Sequence, residues 1–199
     1  MRSSIATVTL ESLSPLSMSR QHDEAKLEGE SHSDYDARTW MHKMHTSGEG
    51  ADRTVVIPAA AMFSCLVEAA KYSGKQIPGK GKATWTQKFA SGLMLVSDIH
   101  LNVDPATVKC VIINANADGV RGSGKRVPRR FPSIPRWQAT FDVHILDPII
   151  TKDVFAEMLD IAGLFIGVGQ GRPGMKSPAG NGRFRTKSLS WQGNRQIAA

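Results

Sequence analysis

The chain has 199 residues, 41% hydrophobic and 22% charged, with a formal net charge of +7. That suits one globular domain with insertions, large enough to bury a core. The basic excess favours a polyanionic partner. No stretch approaches membrane-spanning length, and the N-terminus lacks the apolar core of a signal peptide, so no membrane partner is expected. Only two cysteines are present. Cys65 and Cys110 have no metal-type spacing and lie in apolar stretches, so they read as buried free thiols in a reducing cytoplasm.

Ala6, Val8 and Leu10 alternate with Thr7, Thr9 and Glu11, the period of a first strand, and Ser14-Pro15 ends it. Residues 18–52 form a polar insertion, acidic through Asp23, Glu24, Glu28, Glu30, Asp34 and Asp36. It reads as an excursion from the core, partly ordered, with one hydrophobic node at Tyr35, Trp40, Met41 and Met44. His22, His32, His42 and His45 also fall here. His42 and His45 would share a helical face and, with Asp34 or Asp36, form the metal candidate. The spacing matches no strong site pattern, so neither a metal nor a cofactor is assigned.

Thr54-Val55-Val56-Ile57 leads into Pro58, which suits a helix start. Ala59, Met62, Phe63, Leu66, Val67 and Ala70 follow helical spacing, and Ser73-Gly74 stops the helix. Residues 74–88 read as a basic glycine loop. Lys80 and Lys82 suit backbone phosphate and Trp85 suits base stacking; the alternative is a mobile loop with Trp85 tucked into the core. Leu93, Leu95, Ile99 and Leu101 predict a second strand, and Val108 to Ile113 another. Residues 114–136 form a second basic loop carrying Arg121, Lys125, Arg126, Arg129, Arg130 and Arg136, with Phe131 interleaved. Pro128, Pro132 and Pro135 keep it from being a regular helix. Clustered base in so long a loop points to a polyanion or an oligomer contact.

The stretch from Trp137 to Trp191 reads as strand, helix, strand. Trp137, Ala139, Phe141, Val143 and Ile145 alternate with polar residues until Asp147-Pro148. Thr151 caps a helix, Asp153 complements its dipole, and Val154, Phe155, Met158, Leu159 and Ala162 make its apolar face. Gly163 is a candidate stop, and Leu164-Phe165-Ile166 fits a last turn or a short strand. The loop 167–182 holds Gly167, Gly169, Gly171, Gly174, Gly180 and Gly182 beside Arg172 and Lys176. Glycines let a backbone approach a ligand, and successive amides can nest an anion. The final strand then sets Arg183, Arg185 and Lys187 on one face, with Phe184 on the other.

The order is strand, helix, strand, strand, helix, strand with inserts, an α+β arrangement of ferredoxin-like (RRM-like) type. Three stretches carry a resemblance: Ser12-Leu13-Ser14-Pro15-Leu16-Ser17 after the first strand, Ile57-Pro58-Ala59-Ala60-Ala61-Met62 opening the first helix, and Gly167-Val168-Gly169 through Gly182-Arg183-Phe184. Together they resemble the RAMP superfamily, most closely the backbone subunits of CRISPR effector complexes. The familiar helix opening is Pro-Gly-Ser-Ser followed by a basic residue, from which Pro58-Ala59-Ala60-Ala61 departs. The chain is also short for such a subunit, which suits a solo or virus-borne relative. The resemblance implies a β-α-β-β-α-β palm with a thumb-like insertion at 114–136. It further implies self-association along a guide RNA gripped by its backbone. It would place Gly167, Gly169, Gly171 and Arg172 against nucleic acid.

The function expected first is therefore single-stranded nucleic-acid binding, RNA before DNA, with little base preference. A metal-dependent endoribonuclease is the second reading. Asp98 with His100, and Asp142 with His144, would share strand faces, and Asp104 lies nearby; neighbouring strands would let them converge. A structural or inhibitory mimic of a CRISPR subunit is the third, with the acidic segment docked on a basic neighbour.

Overall fold

A computed structural model describes residues 2–116, 124, 126–175 and 178–196. In chain order its elements are β1 (Arg2–Ser12), β2 (Leu16–Ser17), α1 (His32–Thr39), β3 (Thr46–Ser47), β4 (Thr54–Ile57), α2 (Ala59–Ser73) and α3 (Trp85–Gly92). There follow β5 (Leu93–Met94), β6 (Ile99–His100), β7 (Lys109–Asn116), β8 (Arg126–Ile134), β9 (Gln138–Ile145), α4 (Lys152–Ile161) and β10 (Phe184–Gln196). The fold is α+β with antiparallel sheets.

The main sheet runs β10-β1-β9-β5. Its centre is β1, whose Ala6, Val8 and Leu10 are fully buried. They share one core with Met62, Leu66 and Ala69 of α2 and with Phe155, Met158 and Leu159 of α4. Each fully buried large side chain contributes about 1.5–3 kcal/mol. The other face is polar because alternate residues must point there. Thr7 donates to Asp142 Oδ1 at 2.6 Å, Thr9 and Thr140 share a hydroxyl contact at 3.0 Å, and Arg185 pairs with Glu11 at 2.5 Å.

Helix α2 receives its N-terminal partner from elsewhere in the chain: Asp98 Oδ1 accepts from the Ala59 amide at 2.9 Å. Gly74 ends it at φ 60°. Thr151 caps α4 through the Val154 amide, as its sequence suggests.

Four expectations change. The stretch 93–101 is two strands in two sheets: β5 pairs with β9, and β6 with β4. The break falls where Asp98 turns away to cap α2. Residues 85–88, expected in the basic loop 74–88, belong instead to α3, with Trp85, Phe89 and Gly92 buried at helical spacing. Residues 126–134 are a strand, paired with β7 from Lys109↔Ser133 to Asn116↔Arg126. Pro128 and Pro132 are tolerated there because they share parity with Arg130, whose amide points away from β7, to Asp36 Oδ2 at 2.5 Å. The missing N–H groups thus fall on the side that needs none for the ladder. Cys110 is exposed on β7, whereas Cys65 is buried and its thiol is pushed up to about 12 by burial.

The acidic insertion is ordered, and it docks on this chain's own basic hairpin. Ser31 caps α1, and Arg38 forks onto Glu30 at 2.9 and 3.1 Å. Asp36, only 2% exposed, accepts from the Arg130 amide and from Lys43 Nζ, the latter at 2.5 Å. Lys43 also donates to the Arg130 carbonyl at 2.7 Å and lies 4.6 Å from the Phe131 ring centroid. Sequence could show the charge on both partners but not their meeting, which joins residues 94 apart.

Replacing Asp36 by Ala would strand a largely buried ammonium and an edge amide. The substitution is expected to cost about 3 kcal/mol in urea denaturation, with faster hydrogen exchange in β8. An unchanged midpoint would show that the insertion does not brace the hairpin.

Candidate nucleic-acid interface

The glycine loop crosses the short segment 15–17 at van der Waals distance. Gln170 donates its amide to the Ser17 carbonyl at 2.7 Å, and Gly182 to that of Pro15 at 2.8 Å. A Cβ on Gly169 would fall 2.3 Å from the Ser17 oxygen, and one on Gly182 would fall 1.8 Å from the Val168 oxygen. Both residues also have positive φ, +80° and +70°, which disfavours any side chain. These glycines therefore serve chain crossing. The amides of Val168, Ala179 and Asn181 likewise donate within the loop, at 3.0, 2.8 and 3.2 Å, so the loop's hydrogen-bonding is directed largely inward.

The other face of 15–17 belongs to the hairpin, since β2 pairs with β8 through Leu16↔Ile134 and Ser17↔Ser133. Loop and hairpin thereby face each other across a groove of about 800 Å³. Val111, Ile113 and Phe131 floor it; Arg126, Gln170 and Asn181 stand among its polar walls. Arg130, opposite Ile112, reaches toward α1, and Arg129 stands opposite Ile113 in the register. A second depression of about 190 Å³ lies at the start of α2, lined by Met18, His45, Pro58, Ala61 and Gly169. Gln170 borders both.

The expected site residues divide accordingly. Gly171 and Arg126 line the groove, Gly169 lines the depression, and Gly167 is buried behind the loop. Arg172 is turned away, forked onto Glu68 of α2 at 2.6 and 3.1 Å. Arg183 donates to the Leu164 carbonyl at 3.0 Å, and Arg185 is paired with Glu11. Lys80 and Lys82 are exposed on the 77–83 turn, outside the groove's lining. Trp85, at 5% exposure, is a core residue and offers no face to a base. Arg121, Lys125 and Lys176 lie outside the described residues. Asn114, Asn116, Gln170 and Asn181, all lining the groove, were missed; their signal was a cluster of amide side chains beside glycine and alternating aliphatics.

The acidic and imidazole groups weighed for catalysis are distributed differently. Asp98 caps α2, Asp104 Oδ1 accepts from the Ala106 amide at 2.9 Å, and Asp142 takes the Thr7 hydroxyl. His100 and His144 lie on strands of different sheets. Among the described residues no three metal-ligating side chains gather, including around His42 and His45. Nor is any described helix long and apolar enough to cross a membrane.

The fold has a counterpart of known structure. A chain in a cryo-EM structure of the Type III-B Cmr-beta bound to cognate target RNA superposes with a TM-score of 0.52 at 10% identity, covering 96% of this chain and 61% of that one. This chain thus spans less than two thirds of that neighbour. Cmr6 from Pyrococcus furiosus (TM-score 0.48, 14% identity, 92% and 98% covered) and a chain of a CRISPR RNA-guided surveillance complex (0.39, 12%, 85% and 63%) are further neighbours. At 10% identity the likeness to the first of these is one of fold alone. No protein-family model and no curated protein matches the sequence.

Two outcomes test this geometry. Gly182→Ala is expected to cost more than about 2 kcal/mol, read by thermal or urea denaturation, because the loop must lift off Val168; wild-type stability would refute the crossing. His45 is held below its ordinary value of 6.5, first by burial, then by Arg20, with Asp98 opposing. Its neutral form is thus favoured by folding, so this contribution is present above pH 6.5 and is lost as pH falls through the folded value. Denaturation midpoints between pH 7.5 and 5 should fall more steeply for wild type than for His45→Asn; parallel curves would contradict the burial.

Proposed function

We propose that this protein binds single-stranded nucleic acid, RNA in preference to DNA, by laying the sugar-phosphate chain along the groove between glycine loop and hairpin. The observation that carries the reading is the groove itself: an arginine, amide side chains and apolar residues gathered within one depression. Arginine attracts phosphate, amides hydrogen-bond to sugar and base edges, and the floor of Val111, Ile113 and Phe131 accepts bases from any sequence. The depression beside His45 and the α2 start continues the path past Gln170. The neighbour whose structure holds target RNA lends weight to RNA as the ligand.

In this reading the main sheet is a ferredoxin-like palm. Its support is the order β10-β1-β9-β5, fourth, first, third and second in the β-α-β-β-α-β succession, with α2 and α4 on one face. The β7–β8 hairpin is the thumb-like insertion, and residues 18–52 brace it. Self-association along the strand is part of the proposal. It is supported by β7, an outer strand with Val111, Ile112 and Ile113 at 41–56% exposure and no charged residue after Lys109.

Contact mainly with phosphate is salt-sensitive. With about three phosphates neutralised, affinity for a single-stranded RNA should fall on the order of tenfold between 50 and 200 mM salt. Arg126→Glu should weaken binding to all sequences about equally. Fluorescence anisotropy reads both; affinity indifferent to salt and to Arg126 would refute the groove as the binding path.

A further inference from the structure

Two aromatic rings stand in the open, away from the groove. Tyr72 lies in the last turn of α2. Phe165 lies in a π-helical turn, Ala162–Ile166, that extends α4. The turn is held flat against β10: a Cβ on Gly163 would fall 2.2 Å from the Phe184 carbonyl oxygen. The extra residue that a π-turn accommodates is displaced outward, and such turns recur at functional sites. Here Leu164 and Phe165 are pushed to 45% and 49% exposure. Phe165 stacks on Tyr72 with centroids 5.3 Å apart and planes 18° from parallel. Tyr72 is nevertheless 60% exposed, so the face not covered by Phe165 is open to solvent. Arg183 donates to the Leu164 carbonyl and so fixes a guanidinium at the edge of the patch.

Folding alone does not account for this pair. Trp85, Phe89, Phe155 and Phe184 are all buried; these two rings are instead stacked with one face left outward. We propose that Tyr72 and Phe165 form a base-stacking platform for single-stranded nucleic acid, a second contact point beyond the groove. This rests on the function proposed above and adds to it a second site, one that takes a base by stacking without a phosphate contact of its own. A flat ring with a cation at its edge suits a nucleobase, because every base has a π-face. Two rings and one leucine fall short of the roughly 800 Å² per partner of a standard protein interface, so the patch fits a base better than a second subunit. Chain connectivity links the two contact points. Gln170 and Gly171 line the groove, and Arg172, next in sequence, reaches Glu68, one helical turn before Tyr72.

The test compares a 12-mer oligouridylate with an abasic strand of equal length by fluorescence anisotropy, using wild type, Tyr72→Ala and Tyr72→Trp. Wild type should bind the base-bearing strand more tightly. Tyr72→Ala should reduce that affinity by about 5- to 150-fold and leave abasic binding unchanged, while Tyr72→Trp keeps the preference. A Tyr72→Ala protein that retains the full preference overturns the platform and leaves backbone binding standing. Wild type that binds neither strand overturns the groove reading itself. A Tyr72→Ala protein whose base preference is intact but whose sedimentation changes overturns the platform in favour of a contact between copies.

Discussion

Three residues, 15–17, hold this molecule's working parts in place. Their carbonyls accept from Gly182 and Gln170 of the glycine loop. Leu16 and Ser17 also form the short strand that pairs with β8. One strip of backbone therefore ties the glycine loop to the hairpin, with the groove between them. The constraint explains the glycines: the contact is backbone against backbone, and a methyl group at Gly169 or Gly182 would overlap a carbonyl oxygen. A loop rich in glycine and base invites reading as a phosphate cradle, but here the glycines build the wall and other residues furnish it.

The hairpin has a similar logic. A long two-stranded ribbon is marginal in water unless one side is braced. The acidic insertion supplies the brace through Asp36, Lys43 and the Arg130 backbone. Arg130 is thereby drawn to the α1 side, where its guanidinium donates to the Ser33 carbonyl at 3.2 Å. The open face of the main sheet, by contrast, pairs its charges internally, as with Arg185 and Glu11. That leaves the hairpin side as the better surface for a polyanion.

Much of the main sheet and its helices was legible because their signals are local. Alternation in β1 and β9, the helical spacing of α2 and α4, and the stops at Gly74 and Pro148 each need only a few neighbouring residues. What sequence missed depends on distant partners. The strand 126–134 looked like loop because its prolines were read without knowing which edge faced a neighbour. The stretch 93–101 looked continuous because nothing in it reveals that Asp98 is needed at the N-terminus of α2. Trp85 was balanced between stacking and core until Phe89 and Gly92 placed it on a buried helical face. Among the expected site residues, loop and hairpin did come together, whereas Arg172, Arg183 and Arg185 were committed to partners 19 to 174 residues away, which no local pattern encodes.

The central claim is that a single strand runs between hairpin and glycine loop. The most direct measurement is photo-crosslinking of this protein to a 4-thiouridine-bearing single-stranded RNA, with the attachment sites mapped by mass spectrometry. Crosslinks are expected within 111–116, 126–133 and 170–181. Crosslinks confined to the open sheet face around Thr7, Thr9, Thr140 and Asp142, or none above those given by an unrelated basic protein, would contradict it.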